Sequence, residues 1–373
     1  MAGWVLDEQC AAYDAMRKRC PVAFSQTLGW SLFRHADVRY ALNHPELFSN
    51  RVSERRSVPN GMDPPEHTAY RHALEPFFSE ERMNAYEPHC RALAQRLLRA
   101  LPSGVDVDFM AGFAVPFALR CQCAFLGWPE DMAEPIRLWV QKNREVTLAG
   151  HRAAQVAVAE EFREHVSELL RERRGRQGGP GNDVTANLMQ LEVKGQRLSN
   201  EELISIFRNW TVGEVGSLAA SAGIVAHALA TLPRLQERAR KEPAVIPDVV
   251  EEVLRNCGPL LFNRRVTRKE VQFGDVVIPA GERVALMWVA ANRDEQAFER
   301  PEDIRVERPK DDNLLFGAGI HICPGAPLAR LELRVAVETL LSRFRRIELA
   351  KGAVQRRATY PSNGWDILTL RGA

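Results

Sequence analysis

Over most of the chain apolar residues recur at three- and four-residue spacing, the mark of helices that bury one face. Leu6 to Arg19 reads as a helix ended by Pro21, Trp30-Ser-Leu-Phe33 as a short strand, and Ala36 to Leu42 as a second helix closed by Asn43-His-Pro. Phe48 to Pro59 is polar and Arg-rich without an apolar period, so it reads as a loop, either approaching a ligand cavity or solvated. From Met83 to Arg174 helical spacing is nearly unbroken, with interruptions near Pro102-Ser-Gly104 and Trp128-Pro129. Arg173 to Asn182, with four glycines and a proline, reads as a flexible surface loop.

The longest predicted element opens at Ser199-Asn-Glu-Glu202, a capping box with a hydroxyl at the cap and a carboxylate three residues on. No proline intervenes before Pro233, so a helix of about 32 residues, roughly 48 Å, can run to Ala230. It is apolar on most faces after Ile204 and is expected to cross the core. In Val249-Val-Glu-Glu-Val-Leu-Arg255, Glu252 and Arg255 lie three apart on a mostly apolar helix, and buried charges of this kind are tolerable only when paired. Asn263 to Gly281 alternates around a Gly-Asp turn and reads as hairpin-like.

Composition narrows the function. Lysine and arginine total 50 against 48 acids, so no basic field argues for nucleic acid. A prior of about 150 residues per domain suggests two or three domains, but no composition break divides the 373 residues, and a single domain over 1–373 is expected. The N-terminus has neither a basic start followed by an apolar run nor about 20 apolar residues in a row. A cytoplasmic protein with no membrane association is expected. The seven cysteines are odd in number, which fits reduced thiols. Cys121-Gln-Cys123 has no matching pair elsewhere and reads as two small apolar side chains in a helix.

The chemistry concentrates in Phe316-Gly-Ala-Gly-Ile-His-Ile-Cys-Pro-Gly-Ala-Pro-Leu-Ala-Arg330. Gly317 and Gly319 permit close backbone approach to a flat surface, and Pro327 suits a first helical position ahead of an amphipathic helix from Leu328 to Phe344. Cys323 therefore sits at a helix N-terminus, where the dipole favours a thiolate. A lone cysteine cannot close a tetrahedral zinc site but can be the axial ligand of a haem. Pro324 has no N–H, so the thiolate lacks a donor from the residue that follows it.

This stretch resembles the haem-ligand loop of the cytochrome P450 superfamily, and Asp63-Pro-Pro-Glu-His-Thr-Ala-Tyr-Arg71 is similar to the family segment whose His and Arg hold haem propionates. His67 and Arg71, four apart on a helix, point the same way. The resemblance runs from Trp30 to Leu370. It implies a mainly α fold with a small β region, a triangular helical bundle around a buried haem b, and a bacterial monooxygenase inserting one oxygen atom from dioxygen into an apolar organic substrate. It further implies Cys323 as iron ligand, Phe316 beside the sulfur, and His67, Arg71, Arg265 and His321 on the propionates. Glu252 and Arg255 would form the family's structural Glu-x-x-Arg pair. The third member, an arginine, is expected where this chain has Asp303, with Arg305 and Arg308 nearby. Gly213, Leu260, Leu261, Phe262 and Trp365 are expected to line the substrate cavity, the last in a turn, Ser362-Asn-Gly-Trp365, dipping toward it. The short segment between Phe48 and Asp63 leaves little room for an extra helix, so an open cavity is expected.

One departure stands out. Relatives usually carry Ala-Gly-x-Asp/Glu-Thr in the long helix, an acid and an alcohol that deliver protons to bound dioxygen. This chain has Val212-Gly-Glu-Val-Gly-Ser217. Glu214 and Ser217, neighbours at i and i+3, either restore that pair one step away or leave the task to water. The alternatives implied are a peroxide-driven oxygenase, a dehydratase or isomerase, or a non-enzymatic haem carrier. With no flavin, Fe–S or nicotinamide motif, electrons are expected from a separate ferredoxin or flavodoxin with its NAD(P)H-dependent reductase. Arg330, Arg334 and His72 read as a candidate docking surface or as a solvated face.

Overall fold

The computed structural model describes residues 6–175, 183–360 and 362–373. Helices dominate: α1 (Leu6–Arg19), α2 (His35–Asn43), α3 (Glu66–Leu74), α4 (Glu80–Ala100), α5 (Val115–Leu126), α6 (Ala133–Ala149), α7 (Arg152–Gly175), α8 (Val184–Gln190), α9 (Asn200–Thr231), α10 (Pro233–Lys241), α11 (Ile246–Asn256), α12 (Trp288–Ala291) and α13 (Ala326–Arg343). A five-stranded sheet runs in the order β1 (Val22–Ser25), β2 (Gly29–Leu32), β10 (Arg283–Met287), β7 (Phe262–Thr267), β3 (Phe48–Ser49). A smaller sheet joins strands over Ile347–Leu349, Trp365–Gly372 and Gln355–Arg357, with Asp106–Asp108 at its edge. The expected mainly α architecture with a small β region is what forms.

The central element is α9. Its capping box is complete, with the Ser199 hydroxyl accepting from the Glu202 amide and the Glu202 carboxylate accepting from the Ser199 amide. It packs on α5, α7, α11 and α13, burying residues such as Ile206, Phe207, Leu218 and Val225 on different faces. By length and composition alone it would pass as a membrane-crossing helix. Its all-round apolarity is instead that of a helix surrounded by other helices.

Several local expectations need revision. Val22–Ser25 is a strand, too short to show a period, formed by antiparallel pairing with Gly29–Leu32. The hairpin turn at Gly274-Asp275 is present, but it joins only Val271–Phe273 to Val276–Ile278, while β7 pairs with β10 and β3. Arg173, assigned above to a flexible loop, ends α7 as a buried side chain bonded to Asp183 and to the Gly127 carbonyl. Residues 176–182 of that loop lie outside the described residues. No helix intervenes between β3 and α3. Cys121 and Cys123 are buried in α5, with the Cys121 sulfur 4.0 Å from that of Cys90, and no metal-binding group of acidic, His and Cys side chains occurs among the described residues.

The Glu252–Arg255 pair is fully formed: Arg255 donates from Nε and Nη2 to the two carboxylate oxygens at 2.8 and 2.9 Å, and the side chains are 5% and 1% exposed. The third member is Arg308, whose Nε donates to Glu252 Oε1 at 3.0 Å. Asp303 contributes only its carbonyl, which accepts from Arg255, while its carboxylate pairs with Arg300. Arg255 also donates to the carbonyls of Asn292 and Pro301, so this network ties α11 to the irregular segment leading into the cysteine loop. Arg308→Ala should leave a buried carboxylate short of a partner and cost about 3 kcal/mol. Arg334→Ala, on a half-exposed bridge, should cost under about 1 kcal/mol. Denaturant midpoints at unchanged slope check both.

Candidate functional site

The cysteine loop is built by its own backbone. Cys323 N–H donates to the Phe316 carbonyl at 2.8 Å, Gly317 N–H to the Leu314 carbonyl, and a 3-10 turn covers Gly319–His321. Gly317 and Gly319 both have positive φ, 74° and 66°, which a side chain would strain. At Gly319 a Cβ would sit 2.3 Å from the Leu42 carbonyl, so this glycine admits the end of α2 rather than a flat ligand. Helix α13 begins at Ala326 with Pro327 in its first turn. Pro324 offers the sulfur no donor, and the Gly325 N–H is aimed at it instead. Burial pushes the Cys323 thiol up, Glu214 adds to this, and the Gly325 amide, Arg71 and Arg330 oppose it.

The sulfur, though surrounded by protein, is accessible from a cavity of about 710 Å³. On its wall stand Phe316, His67, Arg71, Arg265 and His321 from one side and Gly213, Glu214 and Ser217 of α9 from another. The ring of Phe316 is held from behind by the Arg330 guanidinium, 4.6 Å from its centroid, and Arg330 in turn bonds Glu251 at 2.5 Å. Arg334 bridges α13 to Glu87 of α4. Both arginines proposed above for docking make ion pairs within the fold; Arg330 and His72 are exposed, and Arg334 is partly buried.

His67, Arg71, Arg265 and His321 converge, with Asp63 acting on His67 and Arg265 and Glu75 beside Arg71 as the acids near them. The two imidazoles lie 4.0 Å apart, centroid to centroid. His67 Nδ1, Arg71 Nε and His321 Nε2 are buried and without hydrogen-bond partners, and Glu75 is 3.7 Å from Arg71. Burial, with Arg71, pushes the His67 pKa down. His321 falls to about 3 through burial and the neighbouring His67, Arg265 and Arg71. Burial lowers Arg265 to about 10. Buried polar groups are ordinarily satisfied, so this cluster has the chemistry of a seat for two carboxylates, and a haem with its propionates fits it.

Gly213 faces open space, where a Cβ would meet no protein atom. Burial pushes the Glu214 pKa up, opposed by Glu332; Glu214 Oε1 lacks a partner. Beside it lies a carboxyl that sequence reasoning missed: Glu332 of α13, fully buried, pushed well up by burial and by Glu214. The Tyr86 hydroxyl shares its proton between the Cys121 carbonyl at 3.1 Å and Glu332 at 3.2 Å. The signal was an acid on the apolar stripe of α13, four residues from Leu328.

Three expected lining residues are elsewhere. Leu260 faces the cavity, but Leu261 packs the other way, into a cluster with Tyr13, Phe33 and Met287. Phe262 packs at the edge of that cluster, near Tyr360. The turn at Ser362 does dock on the cavity strand, bridging Leu260 and bonding the Gly258 carbonyl through Asn363. Trp365, however, is buried in the core between His227 and Arg357.

Comparison with known proteins supplies the class. A family model described as Cytochrome P450 matches residues 138–359. The chain is similar to a putative cytochrome P450, YjiB of Bacillus subtilis, at 30% identity over 351 residues, covering 90% of this chain and 87% of the relative. It is 31% identical over 335 residues to cyclomarin C epoxidase of Salinispora arenicola, covering 86% and 84%. The ligand-free structure of P450 TbtJ1 superposes with a TM-score of 0.90 at 29% identity over 98% of both chains. These are haem-dependent, oxygen-incorporating oxidoreductases as a class. The chain belongs to the cytochrome P450 family, and its cofactor is haem b.

Replacing Arg71 or Arg265 by leucine should remove one charge-assisted contact to a haem carboxylate, worth about 1.5–3 kcal/mol. The expected result is haem loss to excess apomyoglobin accelerated roughly ten- to hundredfold, and an unchanged transfer rate would exclude a propionate role.

Proposed function

We propose that Cys323 ligates the haem iron, that His67, Arg71, Arg265 and His321 hold the propionates, and that the enzyme oxygenates the apolar part of a small organic substrate. The observation that carries this reading is the convergence of four basic side chains, three with unpartnered buried nitrogens, beside a cavity-facing thiol. Electrons come from a separate ferredoxin or flavodoxin with its reductase, and the chain acts as one domain over 1–373 in the cytoplasm. When bound, thiolate-ligated haem supplies reductive activation of dioxygen.

The protein's own contribution is proton management and shape. Glu214 presents to the cavity a carboxyl whose pKa burial raises, so its protonated form can donate a proton there, and Ser217, on the same helical face, offers a hydroxyl. Glu332 is the adjoining acid from which Glu214 can be reprotonated. Phe125, Trp210, Leu218, Leu254 and Leu260 give the cavity apolar surface, which positions a carbon skeleton and excludes water.

The test is turnover with NADPH, a surrogate ferredoxin and its reductase under ¹⁸O₂. Labelled product is expected, and Glu214→Gln should lower product formed per NADPH by about tenfold or more. Because burial raises the Glu214 pKa, the acid is present below that raised value, and product per NADPH should fall as pH rises through it. Product with hydrogen peroxide only would mean a peroxide-driven oxygenase; unlabelled, isomerised or dehydrated product would mean a dehydratase or isomerase.

A further inference from the structure

The same cavity carries more positive charge than a haem uses. Five arginines line it, Arg55, Arg71, Arg208, Arg264 and Arg265, against one acidic side chain, Glu214. Arg71 and Arg265 stand with the two histidines by Cys323 and match the two propionates. Arg208, Arg55 and Arg264 are left over.

Arg208 is the informative one. Together with Asn209, Val212, Gly213 and Ser217 it forms the cavity face of α9, at the spacing that places residues on one side of a helix. It precedes Glu214 by six residues, about 9 Å along the axis. It is half-buried, and among the described residues no hydrogen bond or ion pair engages its guanidinium. Arg55 comes from the segment facing it, and that segment is fastened to α9 on either side of Arg208. Val58 N–H donates to Ser205 Oγ at 2.9 Å, Asn209 Nδ2 donates to the Val58 carbonyl at 2.9 Å, and Ser57 Oγ donates to Asn209 Oδ1 at 3.0 Å. Neighbouring arginines of the segment have carboxylates: Arg51 lies 4.0 Å from Glu66, and Arg56 pairs with Glu66 and Glu202. Arg55 and Arg208 have each other, and the proximity of Arg55 adds to burial in depressing the Arg208 pKa.

Two guanidiniums lining one cavity, one partly buried and the other exposed at its edge, focus a positive field into it. Resting on the monooxygenase reading above, we propose that the substrate is an amphiphile with a carboxylate, or an oxyanion of like charge, at the end remote from the oxidised carbon, and that Arg208 holds this group with Arg55 closing on it. Asn143, Thr147 and Gln155 of α6 and α7 line the same cavity and supply neutral hydrogen-bonding groups. The apolar surface named above then receives the carbon skeleton, and the charge sets its direction.

The test compares dodecanoate and cholanate, each against its methyl ester, by isothermal titration calorimetry on the holoenzyme, with the haem spin-state shift followed in parallel. At low ionic strength at least one acid should bind about tenfold or more tighter than its ester, as a charge-assisted contact implies, and the gap should narrow with salt. Arg208→Gln should abolish the gap by weakening the acid alone, Arg208→Lys should keep part of it, and Arg55→Gln should reduce it. Thermal stability of Arg208→Gln should be unchanged or higher, since an unpaired charge is removed. Equal affinity of acid and ester, tighter binding of the esters, failure of both acids to bind, or a gap untouched in both Gln variants would overturn the proposal. Loss of the thiolate-type Soret band in the reduced carbon monoxide complex of the wild type would instead overturn the haem-thiolate reading, and the calorimetric comparison would still decide the substrate's charge.

Discussion

An excess of buried basic charge around one cavity is the constraint on which this structure turns. A protein interior does not stabilise guanidinium groups or imidazolium ions without anions nearby, yet His67 and Arg71 of α3, Arg265 of β7 and His321 of the cysteine loop are brought together from three separate parts of the chain. The fold holds them there because other interactions are strong enough to do so: the Glu252–Arg255–Arg308 network fixes the approach to the cysteine loop, and the capping residues and packing of α9 fix the opposite wall. Burial and the neighbouring cations depress the histidine pKa values, which is the electrostatic cost of that arrangement. Binding a haem with two propionates reverses the sign of the cost, which couples cofactor binding to stability.

Where the sequence carried a strong local rule, the structure followed it. The capping box of α9, the proline-free run behind it, and the Glu252–Arg255 spacing each have a short-range physical cause, and each formed as read. The cysteine loop belongs with them, because two glycines, a proline and a single cysteine leave the backbone few alternatives. Even there the reason for Gly319 was misread. Its missing Cβ makes room for the Leu42 carbonyl, and only the packed structure could show which neighbour occupies that space.

Less legible were the features decided by where side chains point across long sequence separations. Leu261 and Leu260 are chemically alike, and only the packing of the segment before β7, tied by Leu260 to Ser362 and by Leu261 to Trp288, sends one into the cavity and the other into the core. Trp365 lies in the expected region but is drawn into the core by stacking between His227 and Arg357. Arg308 fills the role that alignment gave to Asp303 because an irregular segment can place a long side chain where a short one would not reach. Arg208 could have been noticed as a charge within the apolar run from Ile204 to Trp210, but its lack of a carboxylate partner is a property of the whole fold.

The two buried acids give the departure from the usual acid–alcohol pair a physical form. Were Glu214 alone, burial would make it a neutral acid that, once it lost its proton, would leave an isolated charge in the interior. With Glu332 beside it, itself within reach of the Tyr86 hydroxyl, the proton can be shared and the anion is partly stabilised by a neighbouring O–H. Such a pair titrates as a unit: the first ionisation is eased by the remaining acid and the second is opposed by the first charge. A single proton is therefore available at the cavity wall while full ionisation of the pair is resisted. A fully ionised pair would also oppose any negative charge on Cys323, on whose titration Glu214 acts directly.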